Sequence, residues 1–193
     1  TDHLDLLLFH GLTTDSYELI KNRLYPEMVL LKELGKIRFI GFSESFQSDP
    51  SHNAASMGLK QDPLMWDVIM LKYGILNQTA SKIVLPLALK HNVGIINMAS
   101  VRIKLPDPLL LESLISDWVN SGLINKHSLS KKDPLNWLIT ADTGNVISAG
   151  YKFASDHDAI STVLTGTANI GHLEENVESI IGDSLPDEHK ERL

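Results

Sequence analysis

Apolar residues along the chain fall into short unbroken runs that alternate with longer segments of helical period. The first run, residues 4–9 (LDLLLF), has almost no polar interruption, which predicts a strand buried on both faces. Leu19, Ile20, Leu24, Met28, Leu31 and Leu34 then recur at helical spacing through residues 16–35, with Asp15 or Ser16 placed to cap the start and Gly35 to stop it. Residues 37–42 (IRFIGF) predict a second strand that runs into the small polar turn Ser43-Glu44-Ser45, and residues 51–60 predict a short helix. A third strand follows over residues 66–73 (WDVIMLKY), then a helix over 79–91 kinked by Pro86, then a fourth strand over 94–101 (GIINMASV). Residues 105–142 are less regular; Leu109, Leu110, Leu114, Ile115 and Trp118 mark a helix after Pro106-Asp107-Pro108. A helix over 145–157, a fifth strand over 160–165 (ISTVLT) and a last helix over 173–181 complete the pattern.

Strand and helix in alternation predict a parallel sheet of the α/β class. No Gly-x-Gly-x-x-Gly follows the first strand, so the dinucleotide fingerprint of a Rossmann domain is missing. Two architectures fit the pattern: a flavodoxin-like five-stranded sheet, and part of an eight-stranded barrel. A whole barrel typically takes about 250 residues, and this chain has 193. With no internal repeat and no low-complexity linker, residues 1–193 read as a single domain. The chain opens at Thr1, directly before a strand, and so reads as the interior of a longer protein.

Charge and composition remove several function classes. Lys and Arg number 17 against 24 Asp and Glu, a net charge of −7, and no basic run exceeds Lys131-Lys132. That argues against a nucleic-acid surface, which needs a basic stripe. No apolar run approaches the ~20 residues that span a bilayer, and no basic-then-apolar leader is visible. There are no cysteines, which excludes disulfides and thiolate metal sites and fits a reducing compartment; a cytoplasmic location is the expectation. No His-x-His, His-Glu-x-x-His, Asp-x-Asp or Gly-x-Ser-x-Gly occurs, so neither a metal ligand set nor a nucleophile elbow is expected.

Parallel α/β folds carry their chemistry at the carboxyl ends of the strands. Those ends supply His10; then Gly41, Ser43, Glu44 and Ser45; then Tyr73; then Asn97, Ala99 and Ser100; and finally Thr165, Gly166 and Thr167, with Asn169 and His172 before the last helix. Small and hydroxyl-bearing residues of this kind suit phosphates and amides, and Gly166-Thr167-Ala168-Asn169 leads into a helix whose N-terminus favours an anion. Each also has a plainer reading. His10 can be a turn residue and Tyr73 a packing residue, while Ser43, Glu44, Thr167 and Asn169 can cap helices.

The strings themselves add a resemblance. His3 to His10 (HLDLLLFH), residues 31–44 (LKELGKIRFIGFSE), Trp66-Asp67-Val68 through Tyr73, Val93-Gly94-Ile95-Ile96, and Val163-Leu164-Thr165-Gly166-Thr167 with Leu173-Glu174-Glu175-Asn176 resemble five stretches of the aldo-keto reductases in family order. Leu85-Pro86 and Val-Leu-Thr-Gly-Thr lean toward the galactose and threo-aldose dehydrogenase-like branch. The resemblance implies a partial (β/α)8 TIM barrel, roughly strands four to eight with their helices. It also implies NAD(P)H-dependent interconversion of aldehydes or ketones, sugars included, with alcohols.

The family uses an Asp, a Tyr general acid, a Lys that tunes the Tyr and a His that orients the carbonyl. Of these only the His has a counterpart, His10, and the chain by itself is expected to be inactive. The resemblance further implies a cofactor set of Ser43 for the carboxamide, Tyr73 to stack on the nicotinamide, Gly166, Thr167 and Asn169 at the phosphates, and His172, Glu175 and Asn176 on the adenine side. Glu44 stands where many members have Asn, and Met70 where many have Gln. His172 stands where NADP-preferring members carry Arg, so NADP or NAD is expected with weak discrimination. The alternative is a non-catalytic nucleotide-binding or scaffold protein derived from the same barrel.

Overall fold

The leucine run at the start of the chain forms β1 (Leu4–Leu12), the first strand of a five-stranded sheet. The others are β2 (Ile37–Glu44), β3 (Val68–Leu71), β4 (Gly94–Asn97) and β5 (Ile160–Val163), and they lie in the order β1-β2-β3-β4-β5. The computed structural model describes residues 1–193. Parallel pairing runs in register from Leu4↔Ile37 across to Leu71↔Asn97, and the amide of Ile95 donates to Ser161 Oγ at 3.1 Å. Spatial order that follows chain order, with helical crossovers, is the wall of a (β/α) barrel.

The helices are α1 (Thr14–Leu19), α2 (Tyr25–Glu33), α3 (Asn53–Gln61), α4 (Val84–His91), α5 (Pro108–Asn120), α6 (Val146–Ser155), α7 (Ile170–Ile181) and α8 (Asp187–Arg192). None is long and apolar enough to cross a membrane. Packing divides the chain into two units, one of Thr1–Tyr73, Asn77–Met98 and Asp158–Thr162, the other of Gly74–Leu76, Ala99–His157 and Val163–Leu193. In the first unit Met28 of α2 packs on Ile37 and Ile40 of β2, flanked by Leu7, Phe9, Tyr25 and Val29. In the second, α6 buries Ala149, Gly150, Phe153 and Ala154, and a Cβ on Gly150 would lie 2.6 Å from Leu105 Cδ2.

Several elements differ from the sequence expectation. β1 is not buried on both faces: Leu4 is 48% exposed and Leu6 to Phe9 are half-buried, because the strand pairs only with β2. The cap of α1 is Thr13, not Asp15 or Ser16; Thr13 Oγ1 accepts from the Ser16 amide while Ser16 Oγ accepts from the Thr13 amide, a reciprocal capping box. The expected long helix is broken by a π-helical turn, Ile20–Leu24, before ending as expected at Gly35, whose φ is +70°. Pro86 does not kink α4. It is the third residue of that helix, where a missing N–H removes no intrahelical bond. β4 stops at Asn97, and Ala99 turns the chain with φ +55°. α7 starts at Ile170, earlier than expected, because Asn169 caps it. α8 has no apolar stripe to betray it; Lys190 pins it to Asp156 and pairs with Asp187 within the helix.

The close approach of β2 and β3 requires Gly41. A Cβ there would lie 2.0 Å from the Val68 carbonyl oxygen and 2.8 Å from Leu8 Cδ2. Because the first obstacle is backbone, Gly41→Ala must part the two strands and is expected to cost at least about 1–3 kcal/mol. Urea unfolding measures the loss; an unchanged midpoint would mean that the strands separate freely.

Candidate functional site

The carboxyl ends of β1 and β2 meet at an irregularity. Phe9 pairs with Phe42, yet Leu12 pairs with Glu44, so β1 holds one extra residue at His10-Gly11. Gly11 takes φ +66°, a conformation that glycine adopts without a Cβ penalty. Such a bulge bends the strand and re-aims its side chains, and here it leaves His10 exposed at the strand end. It also turns the Gly11 amide toward β2, where it donates to Ser43 Oγ at 3.1 Å. Ser43 is buried, and by accepting that bond it keeps its hydroxyl proton available for a further acceptor. The structure thus brings His10 and Ser43 to one place.

Glu44 behaves differently. Its Oε2 lies 2.6 Å from His52 Nδ1 and its Oε1 accepts from the Ala55 amide at 3.0 Å, so both carboxylate oxygens are engaged within the chain. The helix-capping alternative describes Glu44 better than cofactor contact does, since Ala55 is the third residue of α3. Asp49 serves the preceding amide, accepting from Ala54 at 2.8 Å. Tyr73 follows β3 with only 5% of its surface exposed, and its amide donates to Asn97 Oδ1 at 2.9 Å. Met70 pairs with Ser43 in register.

In the second unit, Asn169 caps α7 by accepting from the His172 amide at 3.2 Å, and Thr167 Oγ1 accepts from the Asn169 amide at 3.1 Å. Both therefore fill the capping role. The amides of Ile170 and Gly171 remain as open donors in the first turn. Gly166 is exposed, and a Cβ there would meet nothing within 4 Å. Asn176 is buried and donates to Thr165 Oγ1 at 2.9 Å, where Tyr151 also bonds. His172 and Glu175 are exposed.

One further constellation bears on proton transfer. Tyr17 Oη donates to Asp62 Oδ2 at 3.0 Å, and Lys21 Nζ donates to both oxygens of Asp62 at 2.7 and 2.8 Å. Tyr17 is fully buried, and burial pushes its hydroxyl well above the usual phenol range, with Asp62 adding to the effect. Tyr25 is pushed up by burial too, and Asp67 contributes. Sequence reasoning passed over His52. It is a lone histidine at the start of a short helix, and nothing in the local pattern pairs it with Glu44 eight residues earlier.

The Aldo/keto reductase family profile matches residues 1–107. Solved structures show the same fold: an aldo-keto reductase from Bacillus halodurans in its holo form is 22% identical, with all of this chain and 58% of that one aligned at a TM-score of 0.66. An aldo-keto reductase from Klebsiella pneumoniae in complex with NADPH is 18% identical, over all of this chain and 58% of its own, at 0.64. A glycerol dehydrogenase from Gluconobacter oxydans is 18% identical, over 99% and 57%, at 0.63. No curated protein matches the sequence. The chain thus spans less than two thirds of the length of these structural relatives. With the profile covering more than half of its residues, on a parallel sheet whose strands pair in chain order, this protein belongs to the aldo/keto reductase family.

Proposed function

We propose that this protein takes part in the NAD(P)H-dependent interconversion of aldehydes or ketones, sugars among them, with alcohols, and that the 193-residue chain on its own binds the cofactor without turning it over. The observation that carries the reading is the bond from the Gly11 amide, next to His10, to Ser43 Oγ at adjoining strand ends of a chain in this family. Each unit by itself offers groups that suit part of a nicotinamide dinucleotide. Ser43 has a hydroxyl proton to give a carboxamide oxygen, and the open Gly166 turn with the free amides of Ile170 and Gly171 suits phosphate oxygens. The cofactor, when bound, supplies the hydride. In the first unit His10 orients a carbonyl oxygen by hydrogen bonding and Tyr73, packed at the end of β3, supports the nicotinamide; in the second His172, Glu175 and Asn176 serve the adenine side. Glu44 has no direct part, because its oxygens are already engaged.

Titration with NADPH tests this reading. Micromolar binding is expected, and Tyr73→Ala should weaken it about tenfold, or 1.4 kcal/mol, while His10→Ala leaves it within about twofold. No binding by the unaltered chain would remove the proposal.

Cofactor choice follows from the loop. None of Gly166, Thr167, Ala168 and Asn169 is basic, and Glu174 and Glu175 in the next turn oppose a second anion. NADPH is therefore expected to be preferred over NADH by less than roughly a hundredfold. His172→Arg should tighten NADPH about tenfold and leave NADH unchanged, since a guanidinium grips a 2′-phosphate with paired donors. Dissociation constants for both cofactors decide it; equal gains for both would place the 2′-phosphate elsewhere.

A second reading, nucleotide binding without turnover, is favoured by one observation. Tyr17 is fully buried and bonded to Asp62, and burial pushes its hydroxyl up, the wrong direction for an acid.

A further inference from the structure

We propose that His52 is a positioning residue that presets the carboxyl end of β2 for the nicotinamide end of the cofactor; the cofactor part rests on the reading above. Glu44 is the last residue of β2 and His52 immediately precedes α3. Their side chains are each 1% exposed and meet at 2.6 Å, a short, strong contact closed to water. The other oxygen of Glu44 takes the amide of Ala55, so one carboxylate ties the strand end to the start of the helix at two points. Asp49 Oδ2 takes the Ala54 amide and Oδ1 accepts from Asn53 Nδ2, which closes the intervening loop onto the same helix turn.

Two features of His52 show that this contact, and not volume, accounts for the residue. Its backbone has φ +58° and ψ +38°, a left-handed conformation that non-glycine residues seldom take, and its side chain makes no cap bond to the helix it precedes. Its Nε2 is buried without any partner. An aliphatic side chain would fill the space without stranding a polar atom. The ring is thus held in an unfavourable backbone with one nitrogen unpaired, and what it gains is the Nδ1 bond to Glu44.

The strut acts on the site through the chain itself. Ser43 adjoins Glu44, and Ser43 Oγ receives the Gly11 amide from the bulge that presents His10. If Glu44 is freed, the strand end can rotate, and both Ser43 and the bulge lose their reference. This also accounts for a carboxylate at position 44. A carboxylate there is an acceptor that matches an imidazole N–H and the Ala55 amide at the helix start, whereas an asparagine amide would bring donors as well.

Amide hydrogen exchange and probe binding on the full 193-residue chain test the idea. His52→Ala is expected to speed exchange of the Gly11 and Ala55 amides at least tenfold while the amides of Ile69 and Ile95 stay unchanged. His52→Asn should restore slow exchange, because its side-chain nitrogen lies as many bonds from the backbone as Nδ1 and asparagine tolerates a left-handed backbone. Glu44→Gln, which keeps the size and one acceptor, should fall between the two and supplies the answer if His52→Ala does not fold. Reduced nicotinamide mononucleotide should bind His52→Ala at least fivefold more weakly, with 2′,5′-ADP binding within twofold of the unaltered chain.

Exchange that rises equally across the whole sheet, or a Gly11 amide that does not respond, overturns the proposal. So does equal weakening of both probes. If the unaltered chain binds neither probe, the cofactor reading fails, and the Gly11 and Ala55 exchange rates then decide the strut alone.

Discussion

Replacing Trp66 by alanine is expected to lower the unfolding free energy by about 3–5 kcal/mol, the range for deleting a buried tryptophan. Trp66 is 3% exposed and sits among four aromatic rings, with Phe42, Tyr25, Tyr17 and Phe9 edge-on at centroid distances of 4.8, 5.5, 6.1 and 6.2 Å. Its Nε1 donates to Tyr17 Oη at 3.3 Å, and Tyr17 in turn donates to Asp62. The substitution therefore opens a cavity and strips a buried polar chain of one partner. Since domains of this kind hold only about 5–15 kcal/mol in total, a large part of the stability should go. Urea unfolding with an unchanged slope measures it. A loss under about 1 kcal/mol would mean that the neighbouring rings collapse into the space.

The second large effect concerns turnover. A mixture of NADPH, an aldehyde panel and the 193-residue chain is expected to oxidise NADPH no faster than the mixture without protein. A positioned general acid is worth roughly 10²–10⁴ in rate, and a tyrosine can act as one near neutral pH only if a nearby cation lowers its pKa. Tyr17 has a lysine two bonds away in the network, but Lys21 is bound to Asp62 and not to the phenol, and burial drives Tyr17 up. Tyr25 is driven up as well. Clear turnover would overturn the non-catalytic reading of this chain. Its persistence in Tyr17→Phe would then exclude Tyr17 as the proton source.

The candidate site was legible in part. His10 and Ser43 could be read from strand ends because chemistry in parallel sheets gathers there, but their connection depends on the bulge at Gly11, which no periodicity reveals. The resemblance implies a cofactor role for Glu44 by its place in the string. In the fold its oxygens meet His52 and the Ala55 amide, since the partners of such a side chain are set by what the fold brings within reach. Asn169 offered both a capping and a phosphate reading, and the cap is what forms.

What the sequence by itself determined is the alternation of five strands with helices and the helix stop at Gly35, because apolar period and a left-handed glycine act locally. Tertiary structure decided the rest. The exposure of β1 depends on how many neighbours a strand has, which a run of leucines does not encode. The harmless place of Pro86 depends on where α4 begins, and α8 depends on the ion pair from Lys190 to Asp156. The bond from Trp66 to Tyr17 across 49 positions and the Glu44–His52 strut likewise exist only once the chain has closed on itself, since burial in water-free surroundings makes such polar contacts strong.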